Sequence, residues 1–175
     1  MKSPIPRFGA ALLLAMTMPV ANAQDPAVPP RDVHQASMAQ AAVIEVPPAA
    51  LAPVAVVEAF GAALASGDFA AVESMLAPDV IILEAGGAER SRTEYLEHHA
   101  RSDASFLSGV HAALMHRRAR VEGDLAWIAS ESELHTDRDG EPRTLLSAET
   151  MVLAKAPEGW RIVHIHWSSR PKKEG

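Results

Sequence analysis

The fold is decided by residues 110–168, VHAALMHRRARVEGDLAWIASESELHTDRDGEPRTLLSAETMVLAKAPEGWRIVHIHWS. Four runs of strand composition stand in it: Val110–Glu122, Leu125–His135, Leu145–Lys155 and Trp160–Ser168. Gly123-Asp124, Asp137-Arg138-Asp139-Gly140 and Pro157-Glu158-Gly159 separate them, and these are residues that supply the dihedrals of tight turns. Four strands joined by short turns predict an antiparallel meander.

Upstream, the period changes from two to about four. Val56, Val57, Phe60 and Leu64 form the apolar stripe of a helix over Val54–Ala65, and Gly67 is placed to end it in the left-handed conformation. Asp68 can cap a second helix, FAAVESMLA, which stops before Pro78. Val80–Leu83 reads as a strand entering a turn at Gly86-Gly87. Ser91-Arg92-Thr93-Glu94 fits a capping box, so a third helix is expected over Thr93–Ser102. Helices first, strands last and one strand between them predict an α+β domain: a cone-like curved sheet wrapped around three N-terminal helices.

That element order resembles the nuclear transport factor 2-like superfamily, and several phrases are similar to its SnoaL-like and ketosteroid-isomerase-like bacterial members. They are Ser66-Gly67-Asp68-Phe69, Leu76-Ala77-Pro78-Asp79-Val80, Glu149-Thr150-Met151-Val152-Leu153 and Gly159-Trp160-Arg161-Ile162-Val163-His164-Ile165-His166-Trp167-Ser168. The resemblance covers Val54–Arg170 and implies a conical cavity between helices and sheet. Its members include isomerases, polyketide cyclases and dehydratases as well as non-catalytic association domains. The catalytic aspartate and oxyanion hole of the isomerases find no match here, the single tyrosine being Tyr95 on the third helix.

Candidate chemistry comes from histidines and carboxylates. His164 and His166 lie two apart in a strand and project to one face, shared with Trp160, Ile162 and Ser168. His99 and Asp103 are one helical turn apart, where a carboxylate can orient an imidazole for acid/base work. His166, His164, His99 and Asp103 are therefore the candidate catalytic residues, and Tyr95, Trp127, Glu149 and Trp160 the candidate ligand contacts. The plain alternatives are core histidines satisfied by neighbours, a helix-terminal ion pair and aromatic core. His-x-His with a third ligand is a workable zinc or copper set, but no motif of metal-site spacing accompanies it, and neither metal nor cofactor is expected.

At the N-terminus, Lys2 and Arg7 precede the apolar run Phe8–Val20 and the small-residue site Ala21-Asn22-Ala23. This is a signal peptide cleaved before Gln24, which implies a periplasmic or secreted protein with no membrane anchor afterwards. Residues 24–50 are rich in Pro and Ala and read as a disordered tether; residues 51–170 form the domain and 171–175 a tail. The chain holds 16 Lys+Arg, 22 Asp+Glu and no cysteine, and losing Lys2 and Arg7 leaves 14 against 22, a net charge of −8. Such an acidic balance argues against nucleic-acid partners, and the cluster Arg117-Arg118-Arg120 reads as a solvated face.

Two functions remain open on the sequence. One is an enzyme performing cofactor-free isomerisation, cyclisation or hydration on a small apolar ligand. The other is a non-catalytic homodimer that binds a small molecule or serves assembly, paired through the face of Val163, Ile165 and Trp167.

Overall fold

A computed structural model describes residues 41–138 and 140–173; the expected signal peptide, tether residues 24–40 and the last two residues lie outside them. The chain begins with β1 (Val43–Glu45) and a single 3-10 turn (Pro48–Ala50), then α1 (Leu51–Ser66), α2 (Phe69–Met75), β2 (Leu76–Glu84), β3 (Gly87–Glu89), α3 (Arg92–Glu97) and α4 (Ala100–Ser108). The meander follows as β4 (His111–Glu122), β5 (Leu125–Arg138), β6 (Glu141–Ala156) and β7 (Gly159–Pro171). All seven strands join one open mixed sheet in the order β1-β4-β5-β6-β7-β2-β3. The α+β expectation and the curved sheet with helices on one side are as read from the sequence.

The helix ends are where local chemistry puts them. Gly67 closes α1 at φ 73°, its N–H reaching the carbonyls of Ala63 and Leu64. The Asp68 side chain caps α2 through Ala71 N–H at 3.1 Å. At α3 the Ser91 cap forms as expected, its Oγ accepting from Glu94 N–H, but the Glu94 carboxylate reaches one residue past the cap and accepts from Arg90 N–H at 2.7 Å. The β2–β3 hairpin turns through Ala85 (φ 49°) and Gly86 (φ 86°). The core is the inner face of the sheet against α1, with Phe60, Leu64, Val72, Ile82, Tyr95, Ile128, Met151, Leu153, Ile162 and Ile165 all buried.

Three expectations need correction. The tether does not extend to Ala50, because Val43–Glu45 pairs in parallel with His116–Arg118 and Glu45 Oε2 takes the Arg118 guanidinium at 3.1 Å. The third helix is two helices, broken at His98-His99, so His99 stands in front of α4 rather than inside a continuous helix with Asp103. The strand faces of β7 switch midway. Leu153 pairs with Ile162 but Val152 with His164, so Val163 is an extra residue in the ladder. A bulge of this kind reverses which alternate residues face inward. Ile165 and Trp167 consequently join Ile162 on the inner side, while His164 and His166 turn outward.

Candidate functional site

Between the helices and the sheet lies a cavity of about 410 Å³. Val57, Phe60, Gly61 and Leu64 of α1 and Phe106 and Leu107 of α4 supply its apolar wall. The sheet wall mixes Ala112, Leu134 and Met151 with polar groups, and its key feature is one row of side chains running across five strands. Arg117 of β4 pairs with Ser130 of β5, Ser130 with Glu149 of β6, Glu149 with Trp167 of β7, and Trp167 with Glu84 of β2. Because paired residues share a face, all five side chains project into the same cavity.

Glu149 is the centre of this row. The Trp167 indole donates to its Oε2 at 2.8 Å, and the indole ring stacks on Phe60 at 6.3 Å and leans on Tyr95 at 6.4 Å. Burial raises the Glu149 carboxyl above the usual glutamate range, against the opposing effects of the Trp167 and Ser130 hydrogen bonds and the Arg117 charge. Arg117, with a side chain only 12% exposed, gives Nε to Ser130 at 3.2 Å and Nη1 to Glu58 of α1 at 2.6 Å. It is part of the cavity and not of a solvated basic face.

A second acidic group stands near the Trp167–Glu84 part of the row. Asp103 lies on the cavity wall, and the Tyr95 hydroxyl donates to its Oδ2 at 2.9 Å. Burial raises the Asp103 carboxyl, with the Tyr95 bond and the nearby His99 pulling the other way. Glu84 is raised by partial burial and by the negative charge of Asp103. Tyr95 is fully buried, and its phenol is pushed up by burial and by the adjoining carboxylate, so the hydroxyl stays a donor. Three carboxyl groups, Glu149, Asp103 and Glu84, thus line one cavity, and each holds a proton more readily than a surface acid.

The expected site residues divide into two sets. Asp103, Tyr95 and Glu149 come together around the cavity. His99 is near but turns to Glu89, with which its Nδ1 pairs, and its side chain is 63% exposed. His164 and His166 leave the cavity because of the β7 bulge: His164 Nδ1 donates to the Ile81 carbonyl at 2.9 Å and His166 is exposed. Trp127 follows them to the outer face, in register through Val152 with His164, and Trp160 packs at the margin of the core. The four candidate catalytic residues therefore do not converge. Among the described residues no group of three or more His, Asp or Glu is arranged to hold a metal ion.

Glu84 and Arg117 were missed, although the signal was present. Val80, Ile82 and Glu84 alternate on one face of β2, and Val121, Ala119 and Arg117 on one face of β4, so period two already placed both inward.

A SnoaL-like domain family model matches residues 54–171. The chain belongs to the SnoaL-like domain family. Among solved structures, this SnoaL-like chain is 36% identical to a "putative ketosteroid isomerase" from Shewanella frigidimarina NCIMB 400, covering 73% of this chain and 100% of that one at a TM-score of 0.65. It is 25% identical to the CaMKII hub of S. rosetta, covering 68% and 95% at a TM-score of 0.61. A nuclear transport factor 2-like superfamily protein from Salmonella enterica, 23% identical over 69% of this chain and 89% of its own with a TM-score of 0.57, shares the fold. No curated protein matches the sequence.

Proposed function

We propose that the cavity binds a small, largely apolar carbonyl compound and moves protons on it without a cofactor, as an isomerase, cyclase or hydratase requires. The observation that carries this is Glu149, a carboxyl raised by burial and oriented by Trp167 over an apolar volume. A base is most effective when its pKa approaches the working pH, and burial moves Glu149 in that direction. Ionised Glu149 removes a proton from the carbon next to the ligand carbonyl. Asp103, whose carboxyl burial makes easier to protonate, donates in its protonated form to the oxygen where the negative charge collects, while the Tyr95 hydroxyl donates to its Oδ2. Glu149 then returns the proton to the same or a conjugated carbon, so nothing is consumed. The 36% identity to a "putative ketosteroid isomerase" supports this class of reaction.

The test is deuterium exchange into the carbon next to the carbonyl of 1-tetralone, followed by NMR in D2O. The wild type is expected to exceed buffer, and Glu149→Gln to fall to the buffer rate while melting within a few degrees of wild type. A wild type no faster than buffer, or an undiminished Glu149→Gln, overturns the reading.

The second reading is self-association, with the outer face of the sheet as its surface. No described helix covers that face, and it carries Ile81 (46% exposed), Trp127, Val152 and Leu125 (54% exposed). The likeness to a CaMKII hub supports it. The surface differs from the one first expected, since Ile165 and Trp167 face inward. Ile81→Lys with Val152→Glu should convert a sedimenting dimer to monomer; a wild type monomeric at micromolar concentration removes the idea.

A further inference from the structure

Beyond Glu149 and Trp167 the sheet wall of the cavity continues into a row of serines. Ser132 pairs with Ser147 across β5 and β6, and Ser147 with Ser169 across β6 and β7. All three line the cavity. They stand two residues along their strands from Ser130, Glu149 and Trp167, a step of about 7 Å, on neighbouring strands about 4.8 Å apart. Ser130 is committed to the Arg117 guanidinium. The other three hydroxyls have no side-chain partner among the described residues. The helix wall that faces the sheet is apolar, built from Phe106, Leu107 and Leu64.

Alanine would leave the same room at these positions, so space alone does not account for three serines in one row. A hydroxyl covered by a ligand and given no partner costs free energy, and a site that holds such groups discriminates against a ligand lacking the complementary oxygen. A hydrocarbon laid along this wall would strand the half-buried Ser132 and Ser147 hydroxyls and shield the exposed Ser169 from water. A ligand with oxygens on that edge would satisfy them.

We infer that Ser132, Ser147 and Ser169 form a ligand subsite, and that the ligand is two-faced: apolar against the helices, and carrying hydroxyl or carbonyl oxygens on the edge toward the three serines, in addition to the oxygen near Asp103. This rests on the ligand-binding reading above and names the class of compound that the same cavity takes: a small cyclic ketone bearing a further oxygen remote from the reacting carbonyl.

The experiment measures affinities of the purified protein for 1-tetralone and 6-hydroxy-1-tetralone by calorimetry, in wild type and in the triple variant Ser132→Ala, Ser147→Ala, Ser169→Ala. Wild type is expected to favour the hydroxylated compound by roughly tenfold, one good hydrogen bond's worth of discrimination. The triple variant should lose that preference and hold 1-tetralone at least as tightly as wild type does, with an unchanged melting temperature. Equal affinities in wild type, a preference that survives in the triple variant, or no binding of either compound overturns the inference. Deuterium exchange separates the two claims: preference without exchange removes the catalytic reading and leaves the subsite standing, and exchange without preference does the reverse.

Discussion

Replacing Trp167 with Phe isolates the interaction on which the acid/base account depends. The phenyl ring keeps the stack on Phe60 and Tyr95, while the indole N–H that donates to Glu149 Oε2 at 2.8 Å is lost. A hydrogen bond to a charged group contributes about 1.5–3 kcal/mol, and the partial exposure of Glu149 puts this one near 1.5. That is about one pH unit on the carboxyl. The sign follows from which form the indole favours. Burial raises the folded-state value of Glu149, so the group's stabilising contribution is complete below its ordinary value of 4.5 and is lost as pH rises through the folded value. The indole opposes that loss by stabilising the ionised form, and without it the loss is greater. Urea unfolding should therefore show Trp167→Phe weakened by about 1.5 kcal/mol more at pH 8 than at pH 4, packing losses being common to both. In a Glu149→Gln background the pH dependence of the difference should vanish. An equal destabilisation at both pH values, or a pH dependence that persists in that background, refutes the reasoning.

Ala85 holds φ 49° in the β2–β3 turn, a conformation that costs an L-residue free energy which glycine does not incur, so Ala85→Gly should stabilise by about 0.5–1 kcal/mol in chemical denaturation. Changing His164 and His166 together to Gln should leave tetralone binding and exchange intact, because both lie outside the cavity; loss of either activity would restore them to the site. The mature protein should begin at Gln24 in the periplasm or medium, and N-terminal sequencing that finds Met1 in a membrane fraction would overturn both cleavage and localisation.

The element order was legible because its punctuation is local: Gly67, Asp68, the Ser91 cap and the three turn clusters each act within a few residues. The site was legible only in part, and the reason is physical. Period-two reasoning carries a face assignment along a strand only until the ladder slips, and the extra Val163 has no signature in the sequence, since Val is as good a strand residue as its neighbours. One residue of slip exchanged two histidines for Ile165 and Trp167 on the inner face. Likewise, nothing within Tyr95–Asp103 marks the break at His98-His99, which hands Asp103 to Tyr95 and His99 to Glu89. Glu149 was visible as a strand carboxylate, but its partners Trp167, Ser130 and Arg117 come from three other strands. Only the assembled sheet puts them in one row.

The most direct measurement is a carboxyl-carbon NMR titration of the ligand-free protein, with Glu149→Gln and Asp103→Asn to assign the two resonances. Glu149 and Asp103 should both titrate above their ordinary values of 4.5 and 3.8. Midpoints at or below those values would mean that the cavity does not hold protons on its carboxyl groups, and would contradict the proposal that it works by moving them.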